Sequence, residues 1–217
     1  MSSVFADYGA LLLRAAGITL WISWLGLLLG GLLGAAVGLA RTSRWRVLRI
    51  LALLYTELFR SIPVLILMFF CYFGLPLLVG LDLSPFAAAT AALMFAASSL
   101  MAEVVRAGID SVARGQWEAA FASGMRYRQV MRHIVGPQAV RVMLPPSVGV
   151  YIATLKESSL ASIIGYVELT KTALLIRETT GQSLEVLATI TLLYFVINYG
   201  ISLVGGALER KYAIAHY

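Results

Sequence analysis

Residues 115–137 read GQWEAAFASGMRYRQVMRHIVGP, and the fold turns on where this stretch sits. On both sides the chain is overwhelmingly apolar, yet Glu118, Arg126, Arg128, Arg132 and His133 fall within this one segment. Such an island, inside an apolar chain, is presented to water and to a partner. Trp117, Ala120, Phe121 and Met125 recur at spacings of three and four, which puts them on one side of a helix. Ala119, Ala120 and Ala122 favour helix and leave little bulk on its surface. Gly124 can end that helix in a left-handed conformation. Pro137 suits the first turn of the next helix, where no amide hydrogen bond is required.

The flanking sequence belongs in a membrane. Hydrophobic residues make up 60% of the chain and charged residues only 13%, with a mean hydropathy of +0.85; a soluble domain averages about 25% charged. The 217 residues are read as one domain, 1–217. A span needs roughly 20 apolar residues. Five spans therefore fit, at about 17–40, 63–79, 85–109, 140–155 and 184–208, around the polar loop 115–137. The net charge of +6 is the surplus expected of cytoplasmic loops in a membrane protein, not a nucleic-acid footprint. The single cysteine, Cys71, rules out an internal disulfide framework. Residues 1–9 carry Asp7 and no basic residue, unlike a cleaved signal peptide.

Within the first span, whose start is open as far back as Tyr8, lie Gly26, Gly30, Gly31, Gly34 and Gly38. Glycine every four residues lines one helical face with small groups and permits close helix approach in lipid; simple tolerance of glycine in membrane helices is the alternative. Arg41, Arg44, Arg46 and Arg49 follow. An amphipathic lead-in helix is expected to about Phe59, then a break near Pro63. In the fourth span Pro145 and Pro146 are expected to kink or break the helix. Residues 156–183 hold an apolar stretch too short to cross, read as re-entrant or interfacial.

Orientation follows from charge. With the N-terminus outside, the cytoplasmic segments hold eleven of the seventeen basic residues: Arg41, Arg44, Arg46, Arg49, Arg114, Arg126, Arg128, Arg132, Arg141, Arg210 and Lys211. The outer segments hold Arg14, Lys156, Lys171 and Arg177. The bias favours N-out, C-in with five crossings.

The chain lacks a G-x-x-x-x-G-K-[ST] phosphate loop. It also lacks a plausible metal-ligand set, since His133 and His216 are its only histidines. Glu103, Arg106 and Asp110 share a helix face at spacings of three and four, as a gate or as a structural ion cluster. Glu57 and Arg60 pose the same choice. Lys156 and Glu157, with Ser158 and Ser159, follow the proline-bearing span. An ionisable pair there suits a solvated cavity for a zwitterion; snorkelling to the outer surface is the alternative. Asn198 is expected to hydrogen-bond between helices.

Glu118-Ala119-Ala120, then Gly124, Ile134 and Pro137 at their spacings, resemble the EAA loop of bacterial ABC importer permeases, with Gly136 where that family usually has Leu. The stretch from Tyr55 through Glu57, Phe59 and Arg60 to Pro63 is similar to the Y-x-E-x-F-R-x-x-P segment of permeases for polar amino acids. Similar too are 103–109, Gly115-Gln116, Pro137-Gln138-Ala139, Pro145-Pro146 and 155–160, with Glu157 where that subfamily usually has Asp. The resemblance implies an all-α integral membrane protein of the bacterial inner membrane, of the type I importer kind. It implies no enzyme activity and no cofactor bound by this chain. A soluble ABC ATPase dimer would use ATP and Mg. A second permease subunit, identical or homologous, and an extracytoplasmic amino-acid-binding protein complete the set. Residues 115–137 would dock on the ATPase as a coupling helix, with Gln116, Trp117, Glu118, Ala119, Ala120, Phe121, Gly124 and Met125 at the contact. Trp117, Phe121 and Met125 would supply apolar contact, Ala119 and Ala120 would let the helix sit deep in a groove, and Glu118 would lie near its start. The competing readings are a stand-alone secondary transporter or channel, and a non-transporting membrane scaffold.

Overall fold

The computed structural model describes residues 2–212, so His216 and the tail beyond Tyr212 lie outside the described residues. Among those residues the regular structure is helical throughout: α1 Ser2–Arg41, α2 Arg46–Ser61, α3 Val64–Phe69, α4 Leu75–Val79, α5 Pro85–Asp110, α6 Arg114–Ala122, α7 Tyr127–Val130, α8 Gly136–Ser158, α9 Leu169–Thr180 and α10 Ser183–Tyr212.

Three of these, Val4–Arg41, Pro85–Asp110 and Ser183–Lys211, are long and apolar enough to cross a bilayer. Arg46–Ser61 with Val64–Val79 makes a fourth if that pair, bent by 99°, counts as one span. The bend falls at Pro63, which has no amide proton and ends α2 at Ser61. Residues 140–155, expected to be a span, lie inside α8, which Gln138, Arg141, Lys156 and Glu157 make too polar to qualify on composition. The first helix begins at Ser2, not near residue 17. Its early turns are held by packing, since Val4, Leu12, Ala15 and Ala16 are buried with Leu169, Ala173 and Ile176 of α9 and Val186 and Ile190 of α10.

The α1–α5 pairing is the most extensive in the fold, and the glycine face of α1 makes it possible. A methyl group at Gly26 would meet Leu93 Cβ at 2.8 Å, at Gly30 the Met94 carbonyl at 2.7 Å, at Gly34 the Ser98 carbonyl at 2.6 Å, and at Gly38 Val105 Cβ at 2.7 Å. Gly31, off that face, has nothing within 4 Å. The glycines are therefore a packing seam within the chain.

Two helix junctions are bridged by wide turns. Helix continues from α7 into α8 through a π-turn, Met131–Val135, and from α3 into α4 through another, Phe70–Gly74. Each π-turn ends two residues before a proline, Pro137 or Pro76, and adds the residue that keeps the ring clear of the preceding carbonyl. Pro137 thus sits within a continuous helix. Gly136 has no side chain because a Cβ there would lie 2.5 Å from the Met131 carbonyl oxygen. Pro145 and Pro146 lie inside α8 without breaking it. Residues 156–183 form a 3₁₀ turn, Ser159–Ser162, and the 12-residue α9, about 18 Å long and too short to cross.

Candidate functional site

The polar loop is a hairpin of two short helices clamped on the ends of α5 and α8. From Asp110, three residues lead into α6. Helix α6 ends as foreseen: Gly124 has φ +76°, its amide donates to the Phe121 carbonyl, and the Met125 amide donates to that of Ala120 at 3.2 Å. These paired bonds are a Schellman cap. Beneath lies a core of Val105, Ile109, Val112, Ala120, Val130, Val135 and Ala139.

The orientation of α6 corrects the expected roles. Ala120 is 6% exposed, and Trp117 and Met125 pack against the same core. Trp117, Ala120 and Met125 thus face their own chain, where they help to keep Val112 and Val130 from water. The Trp117 and Tyr127 rings stack at 6.2 Å. The outward face carries Gly115, Gln116, Glu118, Ala119, Phe121 and Ala122, all exposed but Phe121 alone large and apolar. Because α6 begins at Arg114, Glu118 stands in its second turn and not at its start.

Above the hairpin lies the ion cluster. Glu103 accepts from Arg41 and, at 3.0 Å, from Arg106, which also reaches Asp110 at 2.7 Å. In the sequence Arg41 marks topology alone, since no local spacing reveals a partner 62 residues away. Its side chain is 10% exposed, so the cluster ties the end of α1 to α5. Arg41, Arg106, Asp110, Arg114 and Trp117 wall a cavity of about 590 Å³ between this cluster and α6. Glu103→Gln strands the enclosed Arg41, and we expect a loss of about 2–4 kcal/mol in unfolding free energy. Glu57 and Arg60 pair at 2.9 Å but are 45% and 46% exposed, so Glu57→Gln shifts stability by less than about 0.5 kcal/mol. Thermal melts of the detergent-solubilised variants check both.

The expected group 156–159 separates. Lys156 and Ser159 line a cavity of about 570 Å³ between α8 and α10, with Thr191, Tyr194 and Asn198. Glu157 lies on the adjoining face of α8, half-buried. Ser158 is fully buried, its hydroxyl donating to the Leu155 carbonyl at 2.7 Å. Asn198 donates to Tyr194 of its own helix at 2.8 Å, not between helices, and its Oδ1 is buried without a partner.

One site escaped the sequence reading. Glu168 is 0% exposed. Its carboxylate accepts from the Lys171 amide at 2.8 Å, from the Thr19 hydroxyl at 3.2 Å and from the Tyr194 hydroxyl at 3.1 Å. It caps α9 and pins α1, α9 and α10 together. Burial pushes its pKa above the ordinary carboxylate range, partly offset by these donors. A raised folded pKa stabilises the fold most below the unfolded value, about 4.3 for Glu, and that contribution is lost as pH rises through the folded value. Glu168→Gln should therefore flatten the fall in melting temperature as pH rises above about 4.3; an unchanged slope refutes this role.

Among the described residues no cluster of three or more His, Cys, Asp or Glu could hold a metal.

Comparison with known proteins places this arrangement. Residues 26–214 match the model of the family described as "Binding-protein-dependent transport system inner membrane component". A probable amino-acid ABC transporter permease protein of Bacillus subtilis is 37% identical, covering 94% of this chain and 89% of its own length. A glutamine transport system permease protein of Escherichia coli is 34% identical, covering 94% of each. Among solved structures, an amino acid ABC transporter crystallised with histidines superposes with a TM-score of 0.89 at 32% identity, over 95% of this chain and 96% of that one. The methionine ABC transporter MetNI, in an inward-facing conformation, shares the fold at a TM-score of 0.80 and 22% identity, over 95% and 98% of the two chains.

Proposed function

The chain belongs to the binding-protein-dependent transport system inner membrane components, and from that premise we propose that it is the permease subunit of an ATP-driven importer of a polar amino acid, moved through α6. As an inner membrane permease subunit it has no ATPase site of its own. The proposed partners are a soluble ABC ATPase dimer that uses ATP and Mg, a second permease subunit, identical or homologous, and an extracytoplasmic amino-acid-binding protein. The choice of substrate class rests on the proteins the chain resembles.

The proposed arrangement has five crossings, N-out and C-in. Residues 63–79, from α3 through α4 behind the lead-in helix α2, serve as the second and α8 as the fourth; the 23 residues of α8 span about 35 Å. The distribution of basic residues supports this orientation.

One observation carries the mechanism: α6 packs on α7 and the π-turn before α8, with Ala120 in a core that reaches Val105 and Ile109 of α5 and Ala139 of α8, while it offers a face of small residues. The coupling contact is accordingly reassigned. Glu118, Ala119, Phe121 and Ala122, with Gln116 at the edge, meet the ATPase; Trp117, Ala120 and Met125 transmit the motion to the spans, and Gly124 holds the cap. When the ATPases close on ATP, a helix anchored on both sides is dragged with them. The ends of α5 and α8 tilt, with the Arg41–Glu103–Arg106–Asp110 cluster as a strut to α1. Lys156 and Ser159, facing the α8–α10 cavity, and Glu157 beside them are the proposed substrate contacts.

Proteoliposomes holding the permease, the ATPase and the binding protein should take up labelled amino acid with internal ATP and be insensitive to an ionophore. Uptake that survives ATP removal and dies with the ion gradient would make the chain a secondary transporter instead.

A further inference from the structure

Two basic segments about eighty residues apart in sequence meet in space. Arg44 and Arg49, from the α1–α2 link and the start of α2, line the same cavity of about 1060 Å³ as Arg128 and Arg132 from α7 and the π-turn after it. None of these four guanidinium groups makes an ion pair or side-chain hydrogen bond among the described residues. Arg49 also borders the neighbouring cavity, where by contrast Arg41 and Arg106 are neutralised by Glu103 and Asp110. All four residues are exposed, and four like charges around one hollow focus a positive potential that attracts an anion.

The remaining walls identify the anion. Leu39, Leu48 and Met131 give the cavity an apolar side, and Leu39 and Leu48 are 49% and 42% exposed. That side continues into an apolar stripe along α2, where Val47, Leu51, Leu54 and Leu58 are 72%, 59%, 60% and 55% exposed. Trp45, 67% exposed, stands at the rim, where an indole suits the boundary between headgroups and acyl chains. A soluble anion would use the arginines and leave the stripe bare, and an acidic protein surface would have no use for it. A molecule with a phosphate at one end and acyl chains at the other uses both.

We propose that this cavity is a binding site for the headgroup of an anionic phospholipid of the cytoplasmic leaflet, held by Arg44, Arg49, Arg128 and Arg132, with its chains along α2. The choice of leaflet rests on the N-out orientation; the choice of ligand does not. Because the site bridges α2 and α7, a bound lipid braces the coupling hairpin against the start of the second span.

The test is native mass spectrometry of the full chain in detergent, titrated with phosphatidylglycerol, cardiolipin or neutral phosphatidylcholine. The wild type should retain the anionic lipids in preference to the neutral one. Each arginine near an anionic headgroup is worth roughly fivefold in affinity, so the triple variant Arg44→Gln, Arg128→Gln, Arg132→Gln should lose more than about tenfold. A control of equal charge change, Arg14→Gln, Lys171→Gln, Arg177→Gln, should lose little. Melting curves establish that both variants are folded. Equal loss in both, equal retention of phosphatidylcholine, or displacement by millimolar glycerol phosphate overturns the proposal. So does unchanged lipid retention in a triple variant that no longer binds the ATPase. A cysteine at Ser43 that labels from outside the cell, with lipid retention intact, would reverse the orientation and leave the site standing.

Discussion

Gly34→Leu yields no folded, monodisperse protein, while Gly31→Ala is recovered like the wild type and melts at or above its temperature. The two glycines stand three residues apart on α1. Even the first carbon of a side chain at Gly34 would lie 2.6 Å from both the Ser98 carbonyl and Met101 Cβ, neither of which can swing away. Helices α1 and α5 would have to separate along the whole seam from Gly26 to Gly38, forfeiting the close packing that holds helices together in lipid. Overpacking at one site costs about 1–3 kcal/mol; here the strain falls on the largest helix pairing of the fold and on the Arg41–Glu103 contact at its end. At Gly31 a methyl group meets nothing within 4 Å, and alanine improves helix propensity by up to about 1 kcal/mol. Size-exclusion profiles and thermal melts in detergent separate the outcomes. A well-folded Gly34→Leu protein would mean that the seam is not a constraint.

Ala122→Trp gives the opposite phenotype: a stable, correctly inserted chain that does not transport. Ala122 is exposed on α6, opposite the buried Ala120. An indole there leaves the core beneath untouched and fills the space a partner groove must occupy. Loss of a central interface contact costs about 2–4 kcal/mol, or roughly thirtyfold to a thousandfold in affinity. Glu118→Lys should act alike by reversing the charge beside Ala119 and Ala122. In both, ATPase co-purification and ATP-driven uptake fall together, while the melting temperature stays within a degree or two of wild type. Normal transport by Ala122→Trp would place the coupling contact elsewhere.

The seam was readable because its signal is periodic: glycine every fourth residue is a surface, whatever it meets. The cap of α6 was readable because Gly124 is the residue that adopts φ +76° cheaply. Helical spacing groups Trp117, Ala120, Phe121 and Met125 on one side but cannot say whether that side faces a partner or the chain, and Phe121 in fact stands exposed, apart from the other three. Tertiary packing is what places Ala120, Trp117 and Met125 against their own chain. Pro137 stands in the first turn of α8, as its chemistry suits, and Pro145-Pro146 do not break that helix, because a long packed helix tolerates proline where an isolated one does not. The Arg41–Glu103 contact, the Glu168 hub and the meeting of Arg44 with Arg128 join residues far apart in sequence. Neither local spacing nor composition carries that information.

The most direct test of the account is site-specific photocrosslinking in membranes containing the assembled transporter. A photoreactive amino acid at position 122 or 118 should crosslink to the ATPase subunit in high yield. One at position 120, on the opposite side of the same helix, should react only within its own chain. Crosslinks to the ATPase from 120 and not from 122, or no ATPase adduct from any position on α6, would contradict the claim that this helix carries the force of ATP hydrolysis into the membrane.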